Sequence, residues 1–154
     1  MTTYYCDSSV LIKRYIPERG SAWVDALVVS TNGNQLFVAQ ITQAEIVSGL
    51  ARLRREGVLT DYAVKLARRS VDHHAGREYR VIDLSTRIVQ RAEDLLLAHL
   101  LRAYDAIQLA SALDMADRLA AAGRAAPVFV SADRRLLTAA EAEGLITVDP
   151  NQHA

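Results

Sequence analysis

Residues 4–16 read YYCDSSVLIKRYI. A short apolar run ends on a carboxylate, Asp7. Two serines then lead into a helical pattern over residues 9–16, which Pro17 closes because proline has no amide donor and clashes inside a helix. This is the seam of a βα unit, and the fold turns on whether the seam recurs. It does. QLFVA (35–39) precedes the helical TQAEIVSGLARLRREG (42–57), YRVIDL (79–84) precedes STRIVQRAEDLLLAHLL (85–101), and APVFVSAD (126–133) precedes RRLLTAAEAEG (134–144). Further helical patterns occupy residues 20–30, 59–74 and 103–123, TNGN (31–34) is a turn cluster, and ITVD (146–149) is a last short strand. Strands alternating with helices imply a three-layer α/β sandwich with a parallel sheet flanked by about seven helices. In such sheets ligands bind outside the carboxyl ends of the strands, where strand order reverses, so the residues just after each strand matter most.

Composition bounds the function. At 154 residues with 51% hydrophobic residues, the chain can bury one proper core and is not disordered. One domain over residues 1–149 is expected, with 150–154 as a tail. No apolar run reaches the ~18 residues of a membrane span, and no basic segment leads into a long apolar one, so neither a membrane protein nor a secretory signal is expected. The single cysteine, Cys6, excludes an internal disulfide framework and points to a cytoplasmic location. Eighteen basic residues balance eighteen acidic ones, so net charge does not announce a nucleic-acid binder. The arginines nevertheless cluster, at 52, 54 and 55, at 68 and 69, and at 134 and 135, either as solvated helix faces or as phosphate contacts. Adjacent His73 and His74 do not share a zinc-binding helix face. Ser8 and Ser9 lack a nucleophile-elbow context, and no glycine-rich phosphate loop occurs. Asp114 and Asp117 are expected to be solvated.

Four acids stand at helix starts. Asp7, Glu45 and Asp133 follow strands, and Asp105 lies at the break between two long helices. Each has a structural explanation: TQAE (42–45) has the pattern of a capping box, and Asp105 and Asp133 suit a helix N-terminus. Together they read differently. The fold argument brings Asp7, Glu45 and Asp133 to one sheet edge, where carboxylates repel one another unless a cation offsets the charge. Oxygen ligands suit Mg²⁺, which takes one or two protein carboxylates and keeps several waters. Such a cluster fits phosphoryl transfer. Gly49, one turn beyond Glu45, leaves room either for substrate or for close helix packing.

YYCDSSVLIKRY (4–15), ITQAEIVSGL (41–50), AYDAIQLASAL (103–113) and VFVSADRRLLTAA (128–140) resemble, in order, the four motifs of PIN-domain ribonucleases, above all the VapC-type toxins of bacterial toxin–antitoxin pairs. The likeness runs to about Val148. The resemblance implies strand order 3-2-1-4-5, and it places Asp105 against the same pocket. It also implies a Mg²⁺- or Mn²⁺-dependent endoribonuclease. Asp7 and Asp105 would hold the principal metal, Glu45 and Asp133 would complete the cluster or position the attacking water, and Ser131 and Ser9 would orient that water. Hydrolysis would leave a 5′-phosphate and a 3′-hydroxyl. Implied partners are RNA, a second copy in a homodimer, and a small VapB-like antitoxin. The antitoxin tail is expected to place an arginine among the acids and to fold against helix faces presented by Val10, Leu11 and residues 46–53. Gln108 stands where many relatives carry histidine. Two other classes compete: a PIN-type module that binds without cleaving, and a receiver-like signalling domain. The latter would need an adjacent acidic pair after an early strand and a late lysine, and the last lysine is Lys65.

Overall fold

The computed structural model describes residues 1–29 and 33–153. The turn expected over 31–34, the end of the helix expected over 20–30 and the last residue of the tail fall partly or wholly outside them. Five parallel strands run β1 (Thr3–Cys6), β2 (Gln35–Ala39), β3 (Arg80–Ile82), β4 (Val128–Val130) and β5 (Thr147–Val148). They lie side by side in the order β3-β2-β1-β4-β5. Strand order therefore reverses between β1 and β4, where Tyr4, Tyr5 and Cys6 pair with Val128, Phe129 and Val130.

The described residues form seven α-helices: α1 (Ser8–Leu11), α2 (Ser21–Val29), α3 (Thr42–Arg55), α4 (Asp61–His74), α5 (Thr86–Ala98), α6 (Ala103–Ala121) and α7 (Arg134–Ala142). Strand alternation sorts them into two layers, since successive side chains point to opposite faces. Tyr5, Ala39 and Phe129 pack on α5, α6 and α7, and the Tyr5 and Phe129 rings stack 5.5 Å apart. Cys6, Leu36, Val38 and Val130 pack on α1 to α4. Cys6 is thus a core filler. Helix α6 can lie close to the sheet and α5 because alanines at 106, 110 and 112 give it a small-residue face.

The helix expected over residues 9–16 is shorter. α1 gives way to a 3-10 turn, Ile12–Arg14, which carries Lys13 inward. The Lys13 ammonium, only 4% exposed, donates to Glu18 Oε1 (2.8 Å), the Arg19 carbonyl (2.7 Å) and Asn151 Oδ1 (2.9 Å). A buried ammonium must find such partners. They tie the residues after β5 to the first helical segment, and a 3-10 turn at Pro150–Gln152 packs there, with Trp23 stacked on His153. Val10, Leu11, Ile46 and Leu50 are all buried in the chain's own core, so they are not free to receive a partner segment as expected. Gly49 is a packing glycine: a Cβ there would come within 2.5 Å of Ile12 Cδ1. Asp114 is also corrected. It is buried, not solvated, and pairs with Arg87 (3.1 Å) and Arg118 (2.9 Å), whereas Asp117 is half exposed and pairs with Arg91. His99 closes a helix end against Glu143 at 2.9 Å.

Gly20 has φ +84°, and a Cβ there would meet the Pro150 carbonyl oxygen at 2.7 Å. Gly57 has φ +75° with open space around it. Gly20→Ala is therefore expected to lose about 2–3 kcal/mol, more than the ~1 kcal/mol for Gly57→Ala, because backbone strain is joined by a clash with main chain that cannot swing away. Urea denaturation of the two variants checks the order.

Candidate active site

Asp7 leaves β1 at the reversal of strand order. Its amide continues the ladder to the Val130 carbonyl (3.2 Å), which fixes the carboxylate between β1 and β4. The residue is 3% exposed. Oδ1 accepts from the Ser9 hydroxyl (2.5 Å) and the Val10 amide (3.2 Å), and Oδ2 accepts from the Ser131 hydroxyl (2.6 Å). The serines are themselves held from the β4 side: Ser9 Oγ accepts the Ala132 amide (2.9 Å) and Ser131 Oγ the Asp133 amide (3.0 Å). Asp7 caps α1, so both sequence explanations meet in one side chain. Burial pushes its pKa up to about 7 against the donors' opposing effect, and Glu45 adds to the rise.

Glu45 does not serve a capping box. Ile41, not Thr42, is the N-cap of α3, and no side chain caps it. Thr42 Oγ1 instead accepts from Gln108 Nε2 at 3.0 Å. The Glu45 carboxylate accepts from the Ser8 hydroxyl (2.8 Å) and from Gln108 Nε2 (2.9 Å). The capping pattern fails because these partners, from α1 and α6, arrive only in the folded chain. Asp133 keeps its capping role, accepting from the Arg135 and Leu136 amides (2.9 and 3.4 Å). Asp105 stands in the first turn of α6, half-buried. Burial, then Asp133 and Glu45, hold its pKa above the usual carboxylate range, while Arg102 opposes them. The acids thus act on one another in a chain: Asp7 with Glu45, Glu45 with Asp105, Asp105 with Asp133.

Among the described residues, no three carboxylate, histidine or cysteine side chains stand arranged to hold a metal ion together. The donor set still suits a hard cation: it is all oxygen, and one or two carboxylates with water suffice for Mg²⁺.

Beside the acids opens a cleft of about 1180 Å³ between α1, α3 and the start of α6. Glu45, Ser8 and Ser9 are among the residues that line it, together with Glu18, Arg19, Arg52, Arg55, Arg102 and an apolar group. Of the arginine clusters, Arg52 and Arg55 therefore face the cleft, Arg54 turns to Asp61 at 3.6 Å, and 68, 69, 134 and 135 are exposed outside it. The sequence reading missed Ser8 as a partner of Glu45 and passed over Gln108. The available signal was spacing: Gln108 lies three residues after Asp105, hence on its face, within an otherwise apolar, small-residue helix.

Residues 4–142 match the family model described as the PIN domain, and the chain belongs to that family. It is 32% identical over 146 residues to Ribonuclease VapC45 of Mycobacterium tuberculosis (strain CDC 1551 / Oshkosh), spanning 94% of this chain and 93% of that one. Its fold is similar to the crystal structure of FitAcB from Neisseria gonorrhoeae, with a TM-score of 0.66 and 15% identity over 96% of this chain and 97% of that one. It is also similar to a toxin–antitoxin complex from Klebsiella pneumoniae, with a TM-score of 0.60 and 19% identity over 96% and 97% of the two chains.

Asp7 makes stability depend on pH. Its folded pKa, about 7, lies above its ordinary 3.8, so between those values the folded state holds a proton that the unfolded state has lost. Stability should therefore fall as pH rises from about 4 to 7, by an amount on the order of a few kcal/mol. Asp7→Asn should flatten this dependence and melt higher than wild type at pH 8 in chelator, since Ser131 can rotate its hydroxyl to accept the new amide. Melting curves at pH 5 and 8 check it. A variant that melts lower at pH 8 would make Asp7 a helix cap and little more.

Proposed function

We propose that the chain is a divalent-metal-dependent endoribonuclease and the toxin of a toxin–antitoxin pair. The observation that carries this reading is the electrically coupled set Asp7, Glu45, Asp105 and Asp133 near the strand-order reversal, with Glu45 on the wall of a cleft that Arg52, Arg55 and Arg102 also line. Family membership and the likeness to Ribonuclease VapC45 support it.

Asp7 and Asp105 would hold Mg²⁺ or Mn²⁺, with Glu45 and Asp133 completing the cluster. When bound, the ion supplies Lewis-acid polarisation of the phosphodiester and lowers the pKa of a water. The protein's part is positional. Ser9 and Ser131 pin both oxygens of Asp7, Ser8 pins Glu45, and Asp133 is fixed by the first amides of α7. Glu45 and Asp133 would accept a proton from the attacking water as its oxygen bonds to phosphorus and the bond to the 3′-oxygen breaks. The products are a 5′-phosphate and a 3′-hydroxyl. Arg52, Arg55 and Arg102 guide the RNA backbone along the cleft.

The partner reading is supported by the resemblance to a toxin–antitoxin complex. An antitoxin segment fits the cleft itself, whose apolar wall is Ile12, Ile16, Ile41 and Leu53, with an arginine directed to the carboxylates. Inhibitor and RNA would then compete for one space.

Asp105→Asn should lower RNA cleavage at least ~100-fold, the scale for losing one strong electrostatic group. Chelator should abolish the wild-type reaction, and added Mg²⁺ or Mn²⁺ should restore it. Cleavage indifferent to chelator would sink the metal-dependent reading. RNA binding, measured on Asp7→Asn so that nothing is cut, should weaken linearly on a log–log salt plot. Replacing Arg52 and Arg55 with alanine should flatten that slope by about 1.4, at ~0.7 per single-strand phosphate contact. An unchanged slope would leave both arginines as solvated surface.

A further inference from the structure

Gln108 is 1% exposed, and every polar atom of its side chain is engaged. The Tyr5 hydroxyl donates to its Oε1 (2.6 Å), and its Nε2 donates to Thr42 Oγ1 (3.0 Å) and Glu45 Oε1 (2.9 Å). The orientation of the amide is dictated chemically. An amide NH₂ only donates and its carbonyl only accepts, so with the NH₂ on the Thr42 and Glu45 oxygens the carbonyl is left to the phenol. Tyr5 is fully buried, and Gln108 accepts its hydroxyl. Tyr5 is anchored in turn by stacking on Phe129 of β4. A rigid chain thus runs from the sheet through α6 to one oxygen of Glu45, and Ser8 holds the other. Among the described residues these are the hydrogen bonds to the Glu45 carboxylate, and Arg52 and Arg102 line the same cleft.

We infer that Gln108 is a positioning residue that sets the Glu45 carboxylate toward the acid cluster. This rests on the metal-dependent nuclease reading above. Gln108 touches neither substrate nor the reacting atoms and acts only through Glu45. Tolerances in such sites are about half an ångström, so losing the anchor costs function even where the fold survives.

The test is a double-mutant cycle of wild type, Gln108→Met, Glu45→Gln and the pair. Two quantities are read on each protein: Mn²⁺ affinity by calorimetry without RNA, and kcat and KM for RNA cleavage. Gln108→Met is expected to weaken Mn²⁺ binding or kcat about 10–100-fold, as loss of a partner behind a ligand does, with KM changed less than about threefold. In the Glu45→Gln background the same change should add almost nothing, because the group it positions is already gone. Losses that multiply across the cycle, or a Gln108→Met protein with wild-type kcat and Mn²⁺ affinity, overturn the inference and leave the parent reading standing. Wild-type protein that neither binds Mn²⁺ nor cleaves RNA overturns both. If Gln108→Met does not fold, Tyr5→Phe removes the far end of the chain at nearly constant volume. It should lower kcat about three- to tenfold, the worth of one net hydrogen bond, and an unchanged kcat overturns the inference.

Discussion

A carboxylate buried at 3% exposure between two parallel strands is the constraint from which the rest of the structure follows. Taking the charge of Asp7 out of water costs several kcal/mol unless donors offset it. Three donors converge on it, two serine hydroxyls and one amide, and they come from both sides of the β1–β4 seam. Ser9 can reach because α1 begins directly after β1. Ser131 can reach because β4 lies beside β1, which the order β3-β2-β1-β4-β5 alone provides. Even so the pKa stays near 7, so the offset is incomplete. The chain keeps an unstable charge at the place where a hard cation would relieve it.

Around that point the molecule separates its charges. The acids gather at the carboxyl ends of β1, β2 and β4 and at the first turn of α6. Arg52 and Arg55 of α3, with Arg19 and Arg102, line the adjoining cleft. The formal charge is neutral overall although the two signs are separated locally. Lys13 takes no part in this division, because it is buried and saturated by Glu18, Arg19 and Asn151. It braces the wall of the cleft.

The sheet-facing surface of α6 is apolar and made of small residues, so the helix lies close to the strands and to α5. Asp105 and Gln108 interrupt that surface on one face, three residues apart. One joins the acids and the other supports Glu45 from behind. A single helix therefore supplies both a member of the acid set and the scaffold of another. Asp114, two turns further on, is neutralised locally by Arg87 and Arg118 and remains separate from the site.

Local chemistry was enough to read the alternation of strands and helices, because short apolar runs, Pro17 and the glycines after helices act within a few residues of themselves. It also delivered Asp7, Glu45 and Asp133 to strand ends, since a residue just after a strand of a parallel sheet has only one edge to occupy. Strand order and the approach of Asp105 came from resemblance to a family, not from spacing. The failures were all of one kind. The 42–45 stretch has the form of a capping box, but Glu45 turns to Ser8 and Gln108, which lie 37 and 63 residues away. Asp114 looks solvated by helical geometry until α5 brings Arg87 to it. Val10 and Leu11 look available to a partner until the sheet and α3 cover them. Sequence determines what a side chain can do and which face it starts from. Which partner it meets is decided by tertiary structure, because a buried polar or charged group is committed only when distant donors and acceptors are carried into hydrogen-bond range.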